Sequence, residues 1–192
     1  MSTGRTTLII FERSIRFTLR NPAWVVMGII QPLLYLVLFG PLLTRLAGSP
    51  AFAGGNSWRV FVPGLLVQQC LFAAVFVGFG MIAEARGGVI DRMKVTAASP
   101  VGLLAGRVLR DVLVLMVQAG LLTAGALVAG LRASLAGVLL SFLLLGVLGA
   151  GMSAFSYGVA LRLRSEEAFG QTLNGLMLPL LLLSGVLLPL TL

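Results

Sequence analysis

Glu84, Arg86, Asp91, Arg92, Lys94, Arg107, Arg110 and Asp111 stand within one 28-residue stretch, 84–111, of a 192-residue chain that holds only 14 basic and 6 acidic residues. Such a cluster could catalyse, hold a metal, grip a phosphate or pair with the charges of a partner. The first three chemistries lack their other parts. There is no histidine, which removes Ser-His-Asp triads, HExxH zinc sites and His-based proton relays. No GxxxxGK[ST] loop occurs, because the only lysine, Lys94, is followed by Val95. No ATP is therefore expected to bind this chain through a P-loop, and no catalytic residue, metal or cofactor of its own is expected. What remains is charge pairing with another protein.

The rest of the chain explains why these charges stand out. Hydrophobic residues make up 58% of it and charged residues 10%, against about 25% charged in a soluble domain. So few charges cannot wet a globular surface, and the solvent must be mostly lipid. The net charge of +8 does not point to nucleic acid, because the basic residues are scattered between apolar runs rather than gathered on one face. Cys70 is single and allows no internal disulfide.

A helix needs about 20 mainly apolar residues to cross the hydrocarbon core. Five uncharged runs are long enough: 21–44, 60–83, 112–131, 133–161 and 168–192. They are too long and too continuously apolar for barrel strands of about 9–11 alternating residues. The fold class expected is an all-α integral membrane protein, a polytopic helix bundle forming one domain over 1–192. Arginines precede the first run and no small-residue cleavage site follows it, so it reads as an uncleaved span rather than a signal peptide. Basic residues also alternate by side. Eleven fall in 1–20, 84–111 and 162–167, and only Arg45, Arg59 and Arg132 fall between the other spans. The positive-inside rule then puts the N-terminus and the 84–111 stretch in the cytoplasm. Five spans would leave the C-terminus outside. Pro179 and Pro189 predict a broken or re-entrant helix in the last run.

Residues 5–20 are expected to form an amphipathic helix in the membrane interface. Glu12, Arg16 and Arg20 repeat at i, i+4, i+8, with Arg13 beside them. Phe11, Ile15 and Leu19 form a parallel apolar stripe near Leu8. The pattern is imperfect, because Ile9, Ile10 and Phe17 fall off the stripe. This helix reads either as a plain anchor or as a second contact with a cytoplasmic partner.

Inside the runs the polar residues are neutral. Gln31, Gln68, Gln69, Gln118 and Asn174 are candidates to line a path, though interhelical hydrogen bonding is the commoner use of such residues. Gly146, Ala150, Ala154 and Gly158 recur every four residues, a ridge that lets a second helix approach closely. It fits an internal contact or a dimer seam. No acid lies inside a run, whereas carriers coupled to Na⁺ or H⁺ usually keep one there. A secondary carrier is disfavoured, save one that uses carbonyls in broken helices.

The 84–111 stretch is longer than a tight turn and has internal structure. Gly87 and Gly88 break it. "VIDRMKV" follows, with Val89, Ile90, Met93 and Val95 as apolar points among Asp91, Arg92 and Lys94. Ser99 and Pro100 then read as an N-cap and first helical residue. A loop that serves only as an orientation signal needs charges and nothing more.

At these residues the chain resembles the membrane permease subunits of type-2 ABC exporters, close to the daunorubicin-resistance branch. The matching motifs are Glu84, Gly87, Gly88, Asp91-Arg92-Met93, Ser99-Pro100 and Gly106-Arg107. "RNP" at 20–22, "QPLLYLVLFG" at 31–40, "FVPGLL" at 61–66 and "LLLSGVLLP" at 181–189 join them, so the resemblance covers essentially the whole chain. It implies a permease of the bacterial plasma membrane that exports drug-like amphiphiles, lipids or glycans, with a link to antibiotic efflux. It also implies a second permease subunit, identical or not, and separate ABC subunits that bind ATP and Mg. The 84–111 stretch would be the coupling loop seated on the ATPase, with Glu84, Arg86, Gly87, Asp91, Arg92, Met93 and Lys94 as its working residues. The family has six spans where five are visible here. The competing reading is a truncated or non-transporting subunit that only anchors or assembles an ATPase complex.

Overall fold

The computed structural model describes residues 3–20, 26, 28–30, 33–38, 58–89, 99–163 and 165–183. All its elements are helices: α1 (Thr3–Arg20), α2 (Trp58–Arg86), α3 (Pro100–Val128), α4 (Leu135–Leu163) and α5 (Glu166–Leu183). Residues 28–30 and 33–38 are helical as well. Lipid offers no hydrogen bonds to the backbone, so a spanning segment must satisfy its own, which a helix does. Among the described residues α2, α3 and α4 are long and apolar enough to cross a membrane. The first and last of the five expected spans fall partly outside the described residues.

The helices end at capping residues rather than at the first charge. The stretch between the spans is narrower than 84–111: α2 continues through Glu84 to Arg86, which is a correction, while the helix expected to restart at Ser99-Pro100 and carry Arg107, Arg110 and Asp111 is α3. Charge does not stop a helix; unsatisfied end groups need a cap. Gly88 closes α2 with φ +69, a conformation that glycine adopts without strain. Ser99 opens α3, its hydroxyl accepting from the Gly102 amide, with Pro100 in the first turn. At its other end Gly130, at φ +110, turns the chain, and the Leu131 amide returns to the Ala126 carbonyl. Ser134 caps α4 and Ser165 caps α5 in the same way as Ser99. α5 runs on through Pro179 to Leu183, so the break expected at that proline is not there. A proline inside a spanning helix is tolerated where neighbours re-satisfy the freed backbone group. Pro189 lies outside the described residues.

A 29-residue helix is about 44 Å long, against a hydrocarbon core of about 30 Å. The surplus of α2 and α3 forms their charged ends. α2 is central: it packs on α3, α4 and α5, while α1 lies along the first half of α3. One core cluster gathers Trp58, Val62, Leu66, Cys70, Leu115 and Leu122 around the start of α2. A second gathers Met81, Ile82, Tyr157, Phe169 and Leu173 near its end. The outer face of α4 shows Leu139, Leu143 and Val147 mostly exposed, as suits a surface solvated by lipid.

Close approaches occur where side chains are missing. At Gly78 on α2 an added Cβ would lie 1.9 Å from the Phe169 ring and 2.5 Å from Ser156 Oγ. At Gly149 on α4 it would meet Leu115 Cδ2 at 2.6 Å. α1 meets α3 at Gly102 and Gly106, a GxxxG pair on one face. A Cβ at Gly102 would lie 2.9 Å from the Thr3 carbonyl oxygen, and one at Gly106 would lie 2.7 Å from that of Thr7. The two helices therefore run in the same direction.

The Gly106→Leu substitution would force α1 off α3. Overpacking of this kind costs about 1–3 kcal/mol. Gly120→Leu, where a Cβ would meet nothing within 4 Å, is the control. Thermal unfolding in detergent should show a clear loss for the first and little for the second. Equal midpoints would mean that α1 does not depend on this seat.

Candidate functional site

Arg107 sits one turn before Asp111 on the same face of α3. Both are buried, at 8% and 7% exposed. A buried charge must find a partner, and the neighbouring helices supply them. Arg107 Nη2 is 2.6 Å from Glu84 Oε2 on α2, and Nη1 lies 2.8 Å from the Met81 sulfur. Tyr157 on α4 donates its hydroxyl to Asp111 Oδ2 at 2.6 Å. Arg110 Nε is 3.1 Å from Asp111 Oδ1, close enough to attract although the two make no hydrogen bond. Arg110 Nη1 also reaches Thr18 Oγ1 on α1 at 3.5 Å. Arg86, at the end of α2, pairs with Glu166 at the start of α5 at 2.9 Å.

These contacts therefore reach each of α1 to α5. Their strength is uneven. The Arg86–Glu166 pair is about half exposed, and exposed pairs are worth about 0–1 kcal/mol. The Asp111–Tyr157 bond is buried and charge-assisted, the stronger kind. Arg107, Asp111 and Tyr157 were not among the expected coupling residues. For Arg107 and Asp111 the signal in the sequence was their i, i+4 spacing on the helix opened by Ser99-Pro100, which puts them on one face; Tyr157 had no such signal.

Other expected residues are placed as follows. Glu84 joins the cluster, Arg86 ties α2 to α5, and Gly87 follows the last residue of α2. Asp91, Arg92, Met93 and Lys94 lie outside the described residues, as does Gln31. Gln69 and Gln118 are buried and bonded to each other, Nε2 to Oε1 at 3.0 Å. Gly28 closes over them, since a Cβ there would lie 2.6 Å from Gln118 Nε2. This pair joins α2 to α3. Gln68 is half-buried. Asn174 is on α5, and its side chain is outside the described set.

On α1, Glu12, Arg13, Arg16 and Arg20 are exposed, and Glu12 pairs with Arg16 one turn on. Thr6 and Ile10 are the buried residues of α1. Ile10 therefore falls off the Phe11–Ile15–Leu19 stripe because it serves the contact with α3. The stripe itself is only partly covered, and Leu8 and Leu19 are 65% and 74% exposed. The Gly146–Gly158 ridge is not a single contact. A Cβ at Gly146 would meet Met116 and Val112 on α3 at ordinary distances, whereas one at Gly158 would meet nothing. Ala150 and Ala154 are half-buried. An i, i+4 ridge drifts around an untwisted helix, because each step exceeds one 3.6-residue turn. The buried small residues of α4 are instead Gly149, Ser153, Ser156 and Ala160.

Residues 5–192 match the ABC-2 type transporter family, and the chain belongs to it. Over 76 residues the chain is 30% identical to the putative transport permease ycf38 of Cyanophora paradoxa. That stretch is 40% of this chain and 26% of the relative, so the chain matches about a quarter of that relative's length. No solved structure matches. The chain is thus a multi-pass membrane protein of a transporter family.

Tyr157→Phe should lower stability by about 1–2 kcal/mol. That lies between the average interhelical bond in a membrane, about 0.6 kcal/mol, and a hydrogen bond to a charged group, about 1.5–3 kcal/mol. Glu84→Gln, which strips the carboxylate from the buried Arg107 although Glu84 itself is 46% exposed, should cost more than the about 1 kcal/mol of an exposed pair and less than the about 3–5 kcal/mol of a fully buried one. Denaturant unfolding in mixed micelles measures both. A neutral Tyr157→Phe would show that Asp111 does not depend on this bond.

Proposed function

We propose that this chain is the permease subunit of an ATP-driven exporter, of the daunorubicin-resistance-like branch, acting outward across a bacterial plasma membrane. A separate ABC subunit supplies ATP binding and Mg-dependent hydrolysis. A second permease subunit completes the pathway, and the N-terminus faces the cytoplasm. The cargo class is drug-like amphiphiles, lipids or glycans. Family membership supports the transporter reading, and the motif resemblance supports the branch and the direction.

The observation that carries the coupling role is the position of the charged cluster. It lies beside the 87–99 segment that joins α2 to α3, and it ties both helices to α1, α4 and α5. Glu84 and Arg107 cross-link the two helix ends, so α2 and α3 move together, and Tyr157 carries the displacement to α4. In this scheme Asp91, Arg92, Met93 and Lys94 touch the ATPase. Gly87 and Gly88 let the chain leave α2 sharply. The basic face of α1, with Arg13, Arg16 and Arg20, forms a second contact or rests on lipid headgroups.

The test is co-purification. A tagged chain drawn from its own membranes should bring down a P-loop protein with vanadate-sensitive ATP turnover. Reversing both charges, Asp91→Arg with Arg92→Asp, should remove most of that partner while leaving membrane insertion intact. Unchanged recovery would sink the coupling role. A chain that inserts stably and recovers no ATPase at all would favour the anchoring or assembly reading instead.

A further inference from the structure

At the end of the bundle away from the charged cluster, α2, the α3–α4 turn and α4 enclose a cleft of about 340 Å³. That is at the small end of the range for ligand sites, about 300–1,000 Å³. Val62, Leu66 and Phe142 make its wall apolar. Arg132 is the one charged residue among the described residues lining it, and Ser134 and Ser141 stand at the start of α4 beside it. The N-terminal end of a helix carries partial positive charge, which adds to that of Arg132. Thr123 also lines the cleft. It is 7% exposed, and its Oγ1 is buried with no hydrogen-bond partner. A buried hydroxyl without a partner is costly, and a threonine within a helix ordinarily bonds a carbonyl one turn back. Thr18 does this.

Depth decides what chemistry belongs here. Asp111 and Val128 are 17 positions apart on α3, about 26 Å along the axis. The hydrocarbon core is about 30 Å thick. With the Asp111 cluster at one headgroup layer, Arg132 lies at the other. An apolar wall running from a cationic rim at headgroup depth matches a molecule with an anionic head and a hydrocarbon chain. The bilayer itself supplies that molecule.

We propose that this cleft binds an anionic phospholipid of the leaflet opposite the charged cluster. The phosphate sits between Arg132 and the start of α4, and the Thr123 hydroxyl donates to a head or ester oxygen. The first part of one acyl chain lies along Val62, Leu66 and Phe142, and the remainder stays in the bilayer. The site requires only that the chain spans a membrane, so it stands whether or not the chain is an exporter.

The test uses the full chain in neutral detergent, titrated with phosphatidylglycerol or phosphatidylcholine, and reads bound lipid by native mass spectrometry and the unfolding midpoint. The wild type should retain phosphatidylglycerol several-fold better than phosphatidylcholine and be stabilised by it. Arg132→Gln should lose that preference. Ser141→Phe, which fills the cleft without changing charge, should lose it too. Arg162→Gln, an exposed basic residue at the other end of α4, should keep it. Midpoints without added lipid show whether each variant is folded. Equal retention of the two lipids overturns the proposal. So does a preference that survives Ser141→Phe in a folded protein, because the head would then be held outside the cleft. Equal stabilisation by glycerol phosphate alone would assign the site to a free anion and overturn the lipid.

Discussion

A guanidinium buried in a mostly apolar bundle must be paired, and the arrangement of this protein follows from where Arg107 finds its partners. Glu84 on α2 and the sulfur of Met81 face it, and Asp111, one turn away, is held by Tyr157 from α4. Removing one member of such a set leaves a charge stranded, which is far worse than never having the set at all. The cluster therefore fixes the relative register of α2, α3 and α4 at one end of the bundle. Exposed pairs such as Glu12–Arg16 impose nothing comparable, because water competes for both partners. Hydrophobic burial cannot set register here either, since lipid is as apolar as leucine.

Dispersion contacts then depend on how closely the backbones approach. Gly78, Gly102, Gly106 and Gly149 mark the points of nearest approach, and at each a side chain would overlap a neighbour. The consequence differs by place. At Gly78 the space admits the Phe169 ring, which also meets Phe79 edge-on at 5.1 Å and brings α5 against α2. At Gly102 and Gly106 it admits backbone and side chain together, so α1 is seated on α3 by the Thr3 and Thr7 carbonyls and by the Thr6 and Ile10 side chains. Arg110 reaches Thr18 from the same helix. α1 and the start of α3 thus form one body, joined at the charged cluster to the rest.

Much of this was legible in the sequence, and the failures have physical causes. The apolar runs marked the helices, and Ser99-Pro100 marked a helix start, because both signals are local. Helix ends were misplaced where a charge was read as a boundary. Glu84 lies on a helix that outruns the hydrocarbon and is capped only by the glycine at 88, whereas Arg107 stands on the helix that Ser99-Pro100 already marked. The α4 ridge was read from period alone, which finds small residues on one side and leaves open whether that side meets a neighbour within the chain or a second subunit. Gly149, just off that ridge, makes the tight contact with Leu115. Two readings of α1 were superimposed in one imperfect pattern. Ile10 spoils a two-sided helix and fits a three-sided one, with a seat on α3, an apolar stripe and a basic face. Tyr157 could not be singled out, since its role exists only through Asp111, 46 residues earlier.

The two ends of the bundle are built for different conditions. At the Asp111 end, charges of both signs face one another across helices and most are hydrogen-bonded, and such a network resists local rearrangement. It can pass a displacement on because it does not yield to one. At the Arg132 end α3 and α4 join by a short turn, and the cleft there is lined by one charged residue among the described residues and by a hydroxyl that lacks a partner. For a permease of the ABC-2 family, this asymmetry matches a division of labour. On the proposed reading, the stiff end includes the ends of α2 and α3 through which an ATPase would act. The other end keeps space and unmet hydrogen-bonding capacity, and those are what allow it to change its contacts when the helices move.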